Sequence, residues 1–206
     1  MIIKVCGMRE GANIHDVEHT VAPTWMGFIF YPPSSRYVSS LPYYLPKTCK
    51  RVGVFVNAEI EDIIRHVADF GLNAVQLHGK ETTDYIVRLR PQLPPHTLII
   101  KAVHVNDSGT FSQLTPYDPL VDYYLFETPT QSYGGSGRKF DWTLLHNYHG
   151  SVPFLLTGGI TSSDSAAIRQ FTHPHLAGID LNSGFETAPA VKDPHLLATF
   201  IKQILP

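Results

Sequence analysis

The feature that most limits what this chain can fold into is a set of short apolar runs that recurs at near-even spacing along its whole length. The runs are IIKVC (2–6), WMGFIF (25–30), RVGVFV (51–56), NAVQLH (73–78), LIIKAV (98–103), DYYLFE (122–127), PFLLTG (153–158) and AGIDLN (177–182). Each is rich in β-branched and aromatic residues and reads as a strand. Their starts lie 22 to 31 residues apart. Several of the stretches between them carry helix signals. AEIEDIIRHVADFG (58–71) puts Ile60, Ile63, Ile64 and Val67 on one face and stops at Gly71. TDYIVRLR (83–90), SDSAAIRQF (163–171) and DPHLLATFIKQIL (193–205) read likewise, the last with Asp193 as N-cap and Pro194 in its first turn. The second interval, SSLPYYLPK, and the fifth, NDSGTFSQLTPYDP, are poor helices, because prolines and turn residues interrupt them.

Continuous apolar strands alternating with amphipathic helices predict an α/β fold in which helices cover a parallel sheet. Eight such units close on themselves, so the expectation is a single-domain (β/α)8 TIM barrel with eight parallel strands over residues 1–206. A chain of 206 residues has room for one such core. The competing open doubly wound sheet requires a Gly-x-Gly-x-x-Gly turn after its first strand, which CGMREG imitates imperfectly.

Composition excludes several function classes. Sixteen basic and 18 acidic side chains, without runs of either sign, leave no basic footprint for nucleic acid. Two cysteines, Cys6 and Cys49, are too few for a disulfide framework. MIIKVCG at the start has no secretory pattern, and no apolar stretch is long enough to span a bilayer. A soluble cytoplasmic protein with no membrane partner is expected.

In such a barrel, chemistry gathers at the C-terminal ends of the strands. Those ends carry Cys6, Phe30, Asn57, Gln76 with His78, Glu127, Gly158 with Gly159, and Asp180 through Gly184. Alternation puts Lys4 and Cys6 on the inner face, Gln76 with His78, and Asp180 with Asn182. Strands one and eight are neighbours in a closed barrel, so Lys4 and Asp180 are expected to pair beneath the site. A nearby ammonium is expected to lower the pKa of Cys6. LLTGGI (155–160) and NSGFE (182–186) offer main-chain amides where such barrels bind phosphate, which selects Gly158, Gly159, Asn182, Ser183 and Gly184. In YGGSGRKFDW (133–142), the glycines suggest a lid and Asp141 a helix cap. HDVEH (15–19) matches a zinc-peptidase pattern, but it lies on the first outer helix with no third ligand in view, so no metal site is expected.

Taken in order, KVCG (4–7), GFIFYPPSSRYV (27–38), RVGVFVN (51–57), VQLHG (75–79), GGSGRKFDW (134–142), LTGGI (156–160) and GIDLNSGFE (178–186) resemble the phosphoribosylanthranilate isomerase family over essentially the whole chain. The resemblance implies an acid/base Amadori rearrangement of N-(5-phosphoribosyl)anthranilate in tryptophan biosynthesis, with no cofactor and a small phosphorylated substrate. It implies Cys6 as base, Glu127 as acid and Arg36 as holder of the anthranilate carboxylate. Gln76, His78 and Asp180 would line the substrate, in a monomer or homodimer. Glu127 stands where the family has aspartate, and the extra methylene moves the carboxyl by about 1.5 Å. Asn182 stands where a small hydroxyl residue is usual. Two other readings are set against this one. The related ribonucleotide isomerase of histidine biosynthesis has an aspartate where this chain has Cys6, and Glu127 leaves room for a non-catalytic phosphate-binding barrel.

Overall fold

The computed structural model describes residues 1–127 and 142–205. Eight parallel strands close into a barrel: β1 (Ile2–Val5), β2 (Trp25–Ile29), β3 (Lys50–Phe55), β4 (Ala74–Leu77), β5 (Leu98–His104), β6 (Tyr123–Glu127), β7 (Phe154–Leu156) and β8 (Leu176–Leu181). Closure is made by β1, which pairs with β2 on one side and β8 on the other and brings Lys4 opposite Asp180. All eight expected strands are present, with ends shifted by a residue or two. The seventh stops earliest, because Gly158 and Gly159 both adopt positive φ (97° and 67°) and turn the chain out of the sheet.

Strand alternation produces two apolar layers. Trp25, Val52, Ala74, Ile100, Ala102, Leu125 and Leu155 fill the barrel interior. Ile3, Val5, Met26, Phe28, Val75, Leu77, Phe126 and Ile179 point outward, into the larger layer beneath the helices. That outer layer is closed by α1 (Gly11–Val21), α2 (Ile60–Phe70), α3 (Thr83–Leu89), α4 (Ser165–Gln170) and α5 (Pro194–Ile204). The helix signals act as read: Gly71 caps α2 in the left-handed region at φ 56°. Asp193 accepts hydrogen bonds from the N–H groups of His195 and Leu196 at the start of α5.

The two poor helices are not α-helices. The fifth interval holds a 3-10 stretch, Ser108–Gln113, whose first turn is capped by Asp107. The second is a run of turns and bends held by Glu18 of α1. Its buried carboxylate accepts hydrogen bonds from Tyr44 OH (2.5 Å), Lys47 N (2.6 Å), Thr48 N (2.6 Å) and Thr48 Oγ1 (2.7 Å). Glu18 of the HDVEH motif is thus a clasp for a loop that lacks its own helix. Those donors hold the Glu18 pKa down at about 2 against the cost of burial. Residues 186–192 add a small antiparallel hairpin, β9 (Glu186–Ala188) with β10 (Val191–Lys192), over the barrel mouth.

Candidate active site

Cys6 follows the last residue of β1 and is buried, its N–H donating to Leu181 O at 2.8 Å. The thiol has room because β2 carries glycine beside it. A Cβ on Gly27 would lie 2.7 Å from Cys6 Sγ, well inside contact distance. Beneath the thiol, Lys4 Nζ donates to Asp180 Oδ1 at 2.9 Å, with both side chains buried, as strand parity requires. Burial works against the Lys4 ammonium, but Asp180 and then Cys6 more than offset it and hold its pKa above the ordinary value. Burial likewise pushes the Asp180 carboxyl up, against the pull of Lys4.

The expected depression of the Cys6 pKa does not occur. Burial raises it, and the Lys4 attraction only partly compensates. The reason is geometric: the Lys4 ammonium is already committed to Asp180, whose own charge repels a thiolate.

Glu127 ends β6 and faces two imidazoles. His78 Nε2 lies 2.8 Å and His104 Nδ1 3.2 Å from the same oxygen, Oε1. Both contacts are within ion-pair distance, but neither is aligned as a hydrogen bond: Glu127 Oε1 and His104 Nδ1 have no hydrogen-bond partner. Gln76 Nε2 lies 2.8 Å from His78 Nδ1. With the amide nitrogen as donor, His78 carries its proton on Nε2, the atom that faces Glu127. Burial raises the Glu127 pKa, but His78, His104 and Lys101 together reverse this and hold the carboxyl below its ordinary value. Cys6 follows β1 and Glu127 ends β6, so both stand at the C-terminal end of the barrel. Asp180 interacts electrostatically with Cys6, and also with Lys4, His78 and Glu127.

At the rim, Arg36 is not a free guanidinium. Its Nε and Nη2 donate to the two oxygens of Glu186 at 2.8 and 2.6 Å. Glu186 also accepts from Lys192 Nζ at 2.5 Å, and Lys192 reaches Asn182 Oδ1 at 3.1 Å. The Asn182 side chain therefore belongs to this network. The network closes over Gly7, where a Cβ would meet Arg36 Cδ at 2.7 Å and Asn182 Oδ1 at 2.8 Å. Beside it, the loops after β7 and β8 touch so closely that a Cβ on Gly184 would lie 2.2 Å from Ile160 O. This brings the Gly158–Gly159 turn and Ser183–Gly184 side by side. Asn57 lies apart from this cluster and ties the β3 and β4 loops together, with its Oδ1 accepting from Lys80 N at 2.7 Å. Residues 133–141, with their glycines and Asp141, lie outside the described residues.

The model of the N-(5'-phosphoribosyl)anthranilate (PRA) isomerase family matches residues 3–203. The chain belongs to that family. Among similar relatives, the N-(5'-phosphoribosyl)anthranilate isomerase of Phocaeicola vulgatus is 47% identical over 204 residues, covering 99% of this chain and 98% of its own length. That of Parabacteroides distasonis is 46% identical over 211 residues, covering 100% and 94%. The phosphoribosyl anthranilate isomerase structure from Thermotoga maritima superposes with a TM-score of 0.79 at 31% identity, over 99% and 98% of the two chains. A structure of the family's enzyme in complex with reduced 1-(o-carboxyphenylamino)-1-deoxyribulose 5-phosphate matches with a TM-score of 0.77 at 28% identity, again over 99% and 98%.

Within this family member, the structure adds residues that sequence reading left without a role. Gly27 opens GFIFYPPSSRYV, yet nothing in a linear string tells that it faces Cys6. Glu186 and Lys192 are joined to Arg36 only by the hairpin. His104 did carry a signal: continuing the alternation of β5 two residues past Ala102 puts it on the inner face, at a strand end.

Proposed function

We propose that this chain converts N-(5-phosphoribosyl)anthranilate to 1-(2-carboxyphenylamino)-1-deoxyribulose 5-phosphate, an isomerisation of tryptophan biosynthesis, with residues 1–206 acting as one catalytic domain. The observation that carries this reading is a thiol and a carboxyl on inward-facing positions at the same end of the barrel, with Asp180 interacting electrostatically with both. Proton transfer by two positioned groups is what the reaction needs. Glu127 delivers a proton to the furanose ring oxygen as the C1–O bond breaks and the anilino nitrogen forms C=N. Cys6 then takes the proton from sugar C2, and that bond's electrons form the C1=C2 enolamine. Protonation at C1 and loss of the O2 proton complete the ketone.

The remaining roles follow from donor geometry. Glu186 occupies only the Nε–Nη2 edge of Arg36, so the other edge, Nη1 with the second Nη2 proton, can grip the anthranilate carboxylate bidentately. Gln76 and His78 orient the acid and line the sugar together with Asp180. Gly158, Gly159, Ser183 and Gly184 offer main-chain amides to the phosphate, with Asn182 at the edge of that cradle. The protein would act in the cytoplasm on this small phosphorylated substrate, with no nucleic-acid or membrane partner, as a monomer or homodimer; a Thermotoga maritima relative is dimeric.

The test is loss of anthranilate-linked fluorescence on mixing the protein with freshly prepared phosphoribosylanthranilate, run beside the histidine-pathway ribonucleotide. Turnover of the first is expected. Binding without turnover would favour a phosphate-binding barrel, and turnover of the ribonucleotide alone would favour the other isomerase.

A further inference from the structure

Glutamate at position 127 raises a problem that the neighbouring strand answers. Its carboxyl hangs on one more rotatable bond than aspartate's, at a barrel mouth where an unrestrained side chain would sample several rotamers. Rate falls steeply when a reacting group is misplaced by even an ångström. Something must fix the longer arm.

We infer that His104 is a positioning residue for Glu127: with His78 it brackets one carboxylate oxygen from two strands, so that the longer side chain presents its other oxygen to the substrate's ring oxygen. The inference rests on the acid role proposed above. Register supports it, because His104 and Glu127 are paired partners across β5 and β6, and β5 alternation turns His104 to the inner face. Distance supports it too: the two imidazole nitrogens reach Oε1 at 2.8 and 3.2 Å. The rings themselves stand 6.3 Å apart at 75°, so they approach that oxygen from different directions. Of the two, His104 is the more open, with 37% side-chain exposure against 17% for His78. It therefore forms the outer wall of the bracket. The contacts are bent in the free protein, as catalytic contacts commonly are before substrate tightens them. Among the described residues, the charged or titratable groups acting most strongly on Glu127 include His78, just past β4, His104 and Lys101 from β5, and Asp180 from β8.

The test compares His104→Ala, His104→Asn, Glu127→Asp, the Ala/Asp double variant and Glu127→Gln in phosphoribosylanthranilate turnover, with each fold checked by circular dichroism. His104→Ala is expected to lower kcat by roughly 10- to 100-fold with KM nearly unchanged. It should also move the acid-side break of kcat/KM to higher pH, since one group that favours the carboxylate is gone. His104→Asn, whose amide nitrogen overlays the ring Nδ1, should restore most of kcat. Glu127→Asp pulls the carboxyl out of the bracket, so it should cost rate in the native background and little more once His104 is alanine. Unchanged kcat and pH break in His104→Ala, or fully additive losses in the double variant, would overturn the inference. If instead Glu127→Gln stays active, the acid assignment itself fails.

Discussion

The opposed pKa shifts of Cys6 and Glu127 dictate an unusual response to pH. The reacting form needs Cys6 as thiolate and Glu127 as neutral acid, yet the site favours the reverse: burial raises Cys6, and His78, His104 and Lys101 together lower Glu127. Even at ordinary values of about 8.5 and 4.3, only about one molecule in 10⁴ would hold the protons in the productive arrangement, a cost near 5.7 kcal/mol. The two shifts widen that gap. The productive fraction rises with pH until Glu127 ionises. It then stays constant, because each further unit creates thiolate as fast as it removes acid, and it falls once Cys6 is fully ionised. Thus kcat/KM, followed by anthranilate fluorescence, should form a broad plateau across neutrality. The acid break should lie below the usual glutamate range and the alkaline break above the usual thiol range. Brief exposure to each pH followed by assay at neutrality separates titration from unfolding. A narrow bell with both breaks between about pH 5 and 8 would refute the assigned directions.

Three further outcomes follow from the geometry. Gly27→Ala places a methyl carbon 2.7 Å from Cys6 Sγ, so turnover should fall at least tenfold while overpacking costs roughly 1–3 kcal/mol in urea unfolding. Lys4→Met leaves Asp180 buried without its partner and should cost about 3–5 kcal/mol, much of which the added change Asp180→Leu should return. Glu18, with its pKa lowered to about 2, contributes stability that is fully present above its unfolded value of about 4.3 and is lost as pH falls toward 2. Glu18→Gln should abolish that acid-range loss in thermal melts and lower stability at neutral pH.

Much of this molecule was legible in the sequence because its determinants are local or periodic. Eight apolar runs defined the barrel, and period-two alternation placed Lys4 opposite Asp180 before any pairing was known. Caps at Gly71 and Asp193 announced helix ends for stereochemical reasons that involve only a few neighbours. What escaped depends on residues far apart in the chain. The clasp of Glu18 on Tyr44 and Thr48 replaces a helix, and no helix signal records it. Lys4 alone predicts a lowered Cys6 pKa, but burial and the charge of Asp180 turn the shift upward. The resemblance implies Arg36 as a carboxylate holder, but nothing in the string tells that Glu186, 150 residues away, already holds one edge.

The most direct test of the thiol–carboxyl pair is steady-state turnover of phosphoribosylanthranilate by Cys6→Ser and by Glu127→Gln, each verified as folded. Both variants are expected to lose at least a hundredfold in kcat/KM, in line with removal of a proton-transferring group. Near-native turnover by both would contradict the assignment.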